Sequence, residues 1–126
     1  MLACLASGEL LGAFGLTEDS AGNDAQAIET TATPEGPEGA GAADTVWRLD
    51  GVKRWLSFGQ VAHCFLVFAK HGDRSVGILV RRDDPGVTVV PSRPTSGFRR
   101  AMPADLHLDG CRVPADRTAG AARPAR

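Results

Sequence analysis

Short segments rich in apolar and β-branched residues, each bounded by Gly, Pro or Asp, follow one another through residues 12–114. No stretch after residue 11 has apolar residues at helical spacing, and turn signals recur throughout. The pattern predicts an all-β fold, a sandwich or a small antiparallel β-barrel of seven or eight strands, with no helix longer than about three turns after residue 12. The predicted strands are 12–18, 28–33, 64–70, 75–82, 85–91 and 104–114, together with 45–59 as two strands joined in a hairpin at Asp50-Gly51.

Charge is unevenly distributed along the chain. Residues 1–50 hold nine of the 15 acidic residues and, of the 14 Lys and Arg, only Arg48. Either the two halves pair across one fold, or the basic half presents a face to an anionic ligand or partner. The net charge of −1 gives no bulk reason to expect nucleic acid or an anionic membrane as a partner.

The three cysteines, Cys4, Cys64 and Cys111, are odd in number and widely spaced. This spacing predicts neither a disulfide framework nor paired metal ligands, and it is typical of a reducing cytoplasm. The first ten residues lack the basic region of a signal peptide, and no apolar run approaches the roughly 18 residues that span a bilayer. We therefore expect a cytoplasmic protein without a membrane span.

Two stretches could carry chemistry. The first is EDSAGND (residues 18–24), a short turn of small and polar residues that suits either solvent or a large polar cofactor. The second is KRWLSFG, in which Trp55 and Ser57 are two residues apart and so share one side of a strand. There an indole could cover a flat ring and a hydroxyl could bond its edge; the alternative is a core Trp55 and a surface Ser57. No nucleophile motif and no metal-ligand spacing of histidines occurs in the sequence.

The order of these motifs resembles that of the middle domain of the acyl-CoA dehydrogenases. The stretches GAFGLTEDSAGNDAQAIETTA, LDGVKRWLSFGQVAHCFLVFAK, DDPGVTV and LHLDGCRVPAD follow the family order over about residues 7–120. The family pattern is an apolar strand ending in Leu/Val-Thr-Glu-Pro, a Gly-Ala-Gly-Ser-Asp turn, a later Lys-x-Trp-Ile-Thr/Ser and a late Asp-x-x-Val-Pro. The segments GFRRAMPADL and GVKRWLSFGQ look most like the branch that oxidises carrier-protein-bound acyl groups in polyketide-type biosynthesis.

This resemblance implies a small antiparallel β-barrel with FAD as its cofactor. It implies that Thr17 bonds the pyrimidine edge of the flavin, that Trp55 lies against the isoalloxazine ring, and that Ser57 bonds near N5, which accepts the hydride. Gly22 and Asn23 would approach the pyrophosphate and the acyl thioester, which makes Asn23 the candidate for substrate binding. The implied cofactor-binding residues are Phe14, Leu16, Thr17, Gly22, Asn23, Trp55, Leu56 and Ser57.

The activity implied by the resemblance is desaturation of an acyl-CoA or acyl-carrier-protein thioester, in fatty acid or polyketide metabolism. A carboxylate takes the α-proton while a hydride leaves the β-carbon, and an electron-transfer flavoprotein or oxygen then reoxidises the flavin. The family supplies that carboxylate from a C-terminal helical domain, so no catalytic residue and no metal ligand is assigned to this chain.

The resemblance also implies a domain organisation. We expect residues 1–11 to be the end of a missing N-terminal helical domain, 12–114 to be the FAD-binding barrel, and 115–126 to be a frayed tail leading to a missing C-terminal helical domain. The intact enzyme would be a homo-oligomer, and this fragment alone would be inactive. The alternative is a non-catalytic remnant or interaction module with the same barrel and no cofactor.

Overall fold

The structure, a computed structural model, describes residues 6–18, 28–36, 45–92, 101–119 and 123–124. Within these ranges no helical segment is longer than three residues, and none has the length or apolar character that crossing a bilayer requires. The all-β prediction is confirmed. The strands are β1 (Gly12–Gly15), β2 (Thr31–Glu35), β3 (Val46–Leu56), β4 (Cys64–His71), β5 (Arg74–Arg81), β6 (Val87–Pro91), β7 (Ala104–Pro114) and β8 (Arg123–Pro124).

The strands form one curled sheet in the order β6-β7-β3-β2-β4-β5-β8. Most neighbours are antiparallel, as predicted. β1 and β2 are exceptions because both run parallel to β4: β1 pairs with residues 64–67, and β2 meets β4 only at Lys70. The chain therefore leaves β4 after β1 and returns to it at the start of β2.

The core lies on one face of this sheet. Along β5 and along most of β4 and β7, buried and more exposed side chains alternate, as expected for strands with one face covered. Each large apolar side chain that is fully buried there contributes roughly 1.5–3 kcal/mol relative to an exposed position. The core residues of these three strands include Phe65, Val67, Ala69, Val76, Ile78, Val80, Leu106, Leu108 and Val113.

β3 is a single strand of 11 residues, so the predicted hairpin at Asp50-Gly51 is wrong. β3 pairs with β7 on both sides of this dipeptide, which a chain reversal there would prevent. Asp-Gly favours tight turns because glycine tolerates positive φ. Gly51, at φ +154°, instead permits a close approach, since a Cβ there would lie 2.3 Å from Thr30 Oγ1. Asp50 Oδ1 accepts the N–H of Gly110 on β7 at 2.8 Å.

Two irregularities in the pairing of β3 with β7 compensate each other. The first is an extra residue on β7 opposite residues 49–51, beside Gly110, whose φ is +59°. The second is an extra residue on β3 between residues 53 and 56, where Trp55 has a φ of +55°. The register is therefore the same at both ends of β3, and only the middle is shifted.

The polar segment after β7 (residues 115–119) is docked on the sheet, whereas we expected it to be frayed. Ala119 N donates to Gly77 O on β5 at 2.7 Å. The Arg117 guanidinium lies 2.6 Å from the Asp84 carboxylate, and both side chains are largely buried. Polar composition suggested solvent exposure, but these side chains find ionic and backbone partners on the neighbouring strand and turn.

Candidate functional site

The predicted flavin-binding residues Thr17 and Trp55 come from neighbouring segments. After β1 the chain crosses to β3, where Arg54 N donates to Thr17 O at 2.7 Å. Thr17 therefore lies beside the end of β3, one residue from Trp55. This bond brings the backbone of Trp55 close to Thr17, the other residue that the resemblance places against the flavin ring.

A buried ion pair, Glu18–Lys53, adjoins this junction. Lys53 Nζ lies 2.6 Å from Glu18 Oε2, and the two side chains are 0% and 5% exposed. The carboxylate also accepts the N–H of Glu29 at 2.7 Å, the N–H of Thr30 at 3.0 Å and the hydroxyl of Thr30. Lys53 Nζ donates in addition to Leu16 O at 3.4 Å. Glu18 thus connects β3 to both ends of the chain between β1 and β2.

The environment shifts the pKa of both partners. Burial raises the pKa of the Glu18 carboxyl, but hydrogen bonds from Lys53, from the Thr30 hydroxyl and from two backbone N–H groups lower it further, so the net direction is below 4.5. Burial lowers the pKa of the Lys53 ammonium, and Glu18 raises it only in part. The carboxylate has four donors, so Glu18 is the better-compensated charge and is ionised at neutral pH.

Strained backbone surrounds the end of β3. Trp55, Phe58 and Met102 adopt left-handed conformations, with φ values of +55°, +60° and +42°. Such conformations cost on the order of 1–3 kcal/mol each and persist only where the surroundings fix them. Here Phe58 N donates to Ala101 O at 2.6 Å, and Gln60 N donates to Met102 O at 3.2 Å. Strain of this kind clusters at binding and active sites.

The Trp55 side chain is 69% exposed, so the alternative of a core tryptophan is wrong. An extra residue in a strand re-aims the side chains beside it, which explains why Trp55 points away from the core. Its backbone N–H donates to Asp105 Oδ1 at 3.2 Å. An exposed indole on a fixed backbone fits a planar aromatic ring such as isoalloxazine.

The other predicted cofactor-binding residues have different environments. Phe14 is 69% exposed and stacks on Phe68, with ring centroids 6.3 Å apart and planes 7° apart. Leu16 is half-buried, and Leu56, at 2% exposure, packs its side chain in the core. Ser57 is exposed but follows the end of β3 in a turn, so strand alternation does not place it beside the indole.

Gly22 and Asn23 lie outside the described residues, and their roles stay predictions. Among the residues that are described, no group of three or more His, Cys, Asp or Glu could hold a metal ion. Cys64 and Cys111 are buried free thiols. Burial, with the nearby carboxylate of Asp84, raises the pKa of Cys111 to about 11, which makes it a poor nucleophile.

Among the residues that the structure describes, charge pairing between the two halves of the chain occurs at two places. Besides the buried Glu18–Lys53 pair, Glu35 of the acidic half lies 3.0 Å from Arg112 of the basic half. These contacts support the alternative in which the halves pair across one fold.

Sequence reasoning missed Glu18, Lys53 and Asp105. A signal existed for Lys53, because it lies four residues after the buried Leu49 and so on the inward side of β3. A lysine at such a position requires an ionic partner. No comparable signal existed for Asp105, because its contact with Trp55 depends on the irregular pairing of β3 with β7.

Comparison with known proteins gives consistent matches. The family model described as "Acyl-CoA dehydrogenase, middle domain" matches residues 13–111. The very long-chain specific mitochondrial acyl-CoA dehydrogenase of Bos taurus is 36% identical over 126 residues, covering 92% of this chain and 18% of its own length. A glutaryl-CoA dehydrogenase of Mycobacterium smegmatis, solved in complex with FADH2, has a TM-score of 0.82 and 32% identity over 93% of this chain and 28% of its own. The prolyl acyl carrier protein oxidase AnaB has a TM-score of 0.84 and 26% identity over 95% of this chain and 31% of its own. The chain thus spans less than a third of the length of these relatives.

Proposed function

The chain belongs to the acyl-CoA dehydrogenase family, as a middle domain, and on that premise we propose that it forms one wall of the FAD site in a flavin-dependent acyl-thioester dehydrogenase. The observation that carries this proposal is the exposed Trp55 indole. It projects from strained backbone, one residue from the hydrogen bond between Arg54 and Thr17. A free-standing β domain gains nothing from an exposed indole on costly backbone, whereas a planar cofactor would cover it.

Each binding residue has a stated role in this proposal. Trp55 covers the isoalloxazine ring, and Ser57 donates its exposed hydroxyl near N5. The carbonyl of Thr17 is already occupied by Arg54 N–H, so we assign the contact with the pyrimidine edge to its hydroxyl or its own N–H. Gly22 and Asn23 approach the pyrophosphate and the thioester. When bound, FAD supplies the acceptor for the hydride that leaves the β-carbon.

The α-proton base is proposed to come from a helical domain. Glu18 is unsuited to that role, because it is buried, paired with Lys53 and held by three further hydrogen bonds, and its pKa is lowered. A general base must reach its substrate and have a pKa near the working pH.

The substrate class and partners are proposals as well. We propose an acyl thioester of CoA or of a carrier protein, and the relatives include proteins named for each. An electron-transfer flavoprotein or oxygen would accept the electrons, and the intact enzyme would be a cytoplasmic homo-oligomer.

Flavin retention tests the proposal. The chain is mixed with FAD and desalted, and flavin absorbance is recorded before and after anaerobic addition of acyl-CoA. We expect weak FAD binding and no bleaching by the chain alone, and tighter binding when helical domains of a relative are added. Trp55→Ala should weaken this binding, whereas Trp47→Phe, at the other tryptophan, should not.

Two results would contradict the proposal in different ways. Stoichiometric FAD that acyl-CoA bleaches in the chain alone would place the base in this chain. Failure to bind FAD even with helical domains present, or no effect of Trp55→Ala, would remove the FAD site and favour the non-catalytic interaction module.

A further inference from the structure

Trp55 occupies a backbone position that is typical of glycine. Strand bulges with a left-handed residue usually place Gly there, as Gly110 does at the compensating irregularity on β7. A tryptophan at φ +55° persists only if its surroundings fix the backbone. Because the indole itself is exposed, packing of that side chain does not supply the constraint.

Asp105, on β7, makes contacts that supply it. Its Oδ1 accepts Trp55 N–H at 3.2 Å, and its Oδ2 accepts a hydrogen bond from Arg54 Nη1 at 2.8 Å. The hydroxyl of Ser92, the residue after β6, also donates to Oδ1 at 3.2 Å. An extra strand residue has no ladder partner for its N–H, and this carboxylate takes the place of one.

The carboxylate is well suited to hold this position. Its side chain is 16% exposed, so water competes weakly for its oxygens. Burial raises the pKa of Asp105, but the hydrogen bonds from Arg54, Trp55 and Ser92 lower it further, so the group is ionised at neutral pH. Hydrogen bonds to an ionised acceptor are about twice as strong as neutral ones.

We infer that Asp105 is a positioning residue: its carboxylate holds the β3 bulge in the left-handed conformation that presents the Trp55 indole to the flavin. The identity of the flavin rests on the proposed function, whereas the contact between Asp105 and the Trp55 backbone does not. Asp105 acts through Trp55, so its loss should disturb the indole first and ligand binding as a result.

Fluorine NMR of the full chain labelled with 5-fluorotryptophan tests this inference. The chain has two tryptophans, and Trp47→Phe assigns their resonances. The Trp47 indole N–H donates to Thr118 Oγ1 at 2.9 Å, away from the bulge, so its resonance reports whether the fold is intact. The variants are Asp105→Ala, Asp105→Asn, which keeps an oxygen acceptor, and the control Asp109→Ala, at an exposed carboxylate on the same strand.

We expect Asp105→Ala to leave the Trp47 resonance in place and to move the Trp55 resonance toward its position in the unfolded chain. FAD affinity should fall about three- to tenfold, the range that stacking contributes, and flavin fluorescence at saturation should be less quenched. Asp105→Asn should keep most of the Trp55 shift and the affinity, and Asp109→Ala should keep both.

An unchanged Trp55 resonance in folded Asp105→Ala, or an equal displacement in Asp109→Ala, would overturn the inference. If Asp105→Ala does not fold, Trp55→Gly is added, because glycine adopts this conformation unaided. If the variant with both substitutions regains the Trp47 resonance of the folded chain, the inference is supported. If it does not, the inference is overturned. If FAD shifts neither resonance of the unaltered chain even when the helical domains are present, the FAD proposal fails, while the flavin-free comparison still decides the role of Asp105.

Discussion

Lys53→Met removes one charge of a buried pair and leaves the other, and we expect it to lower the free energy of unfolding by about 3 kcal/mol at pH 7. The Lys53 side chain is fully buried, with Nζ 2.6 Å from Glu18 Oε2. Breaking such a pair typically costs about 3–5 kcal/mol because the remaining charge is uncompensated. The lower end applies here, since Glu18 keeps three donors from Glu29 and Thr30.

Methionine separates the effect of charge from that of packing. It is unbranched, as lysine is, and it preserves the packing of the alkyl chain, whose Cγ lies 3.4 Å from the place of a Cβ on Gly15. Lys70→Met, at an exposed position on β4, is the matched control and should change stability by less than about 0.5 kcal/mol. Adding Glu18→Gln to Lys53→Met removes both charges and should recover at least about 1 kcal/mol.

Urea denaturation, followed by far-ultraviolet circular dichroism and by tryptophan fluorescence, measures these differences. Coincident transitions from the two probes establish two-state unfolding, and an unchanged slope against urea assigns the difference to the native state. A loss below about 1 kcal/mol for Lys53→Met, or a double variant no more stable than the single one, would refute the reasoning.

Three further predictions concern pH and backbone conformation. The pKa of the Glu18 carboxyl is lowered in the fold, so its contribution to the free energy of unfolding is complete above about pH 4.5 and is lost as the pH falls through the folded value. Urea titrations at several pH values measure this loss, and a loss of the same size in Glu18→Gln would contradict the prediction. Gly51→Ala should destabilise by more than about 2 kcal/mol, because its Cβ would meet Thr30 Oγ1 at 2.3 Å. The control is Gly72→Ala, at φ +63° with open space around it, which should cost only about 1 kcal/mol. Equal decreases in melting temperature for the two alanine variants would show that crowding against Thr30 does not cause the destabilisation. Trp55→Gly should leave the free energy of unfolding within about 1 kcal/mol of its original value, because relief of the left-handed strain offsets lost contacts, while flavin binding falls; a larger loss in a urea melt would show that the indole supports the fold.

The strands were predictable because each is encoded locally. Alternation places Leu106 and Leu108 of β7 on one side, and the structure buries both. Val113 lies an odd number of residues further along, and it is buried with them because the extra residue near Gly110 shifts the alternation. The hairpin at Asp50-Gly51 failed because a dipeptide that tolerates positive φ fits a turn or a close approach equally well. The choice between them is made by Thr30 and by pairing with β7, both distant in sequence.

The candidate site was predictable only where a sequence motif determines which residues lie close together in space. The structure brings Thr17 close to Trp55 through the hydrogen bond from Arg54 N to Thr17 O. The prediction that Trp55 and Ser57 share a face assumed a regular strand, but β3 ends at Leu56, before Ser57. A bulge is a difference in residue count between two paired strands, so it cannot be recognised from the sequence of either strand alone. Sequence reasoning therefore could not reach the contact between Asp105 and the Trp55 backbone.

The paired irregularities of β3 and β7 have a consequence for how this domain can change length during evolution. Each strand carries one residue more than its partner at a different point, and the two surpluses cancel at the ends. Losing one residue alone would carry the rest of a strand out of phase and turn its buried side chains toward solvent. Losing one from each strand would keep both ends in phase while removing the exposed tryptophan. The extra residues of β3 and β7 should therefore be gained or lost together in evolution. A related protein that lacks both extra residues should also lack binding of the ligand that Trp55 contacts.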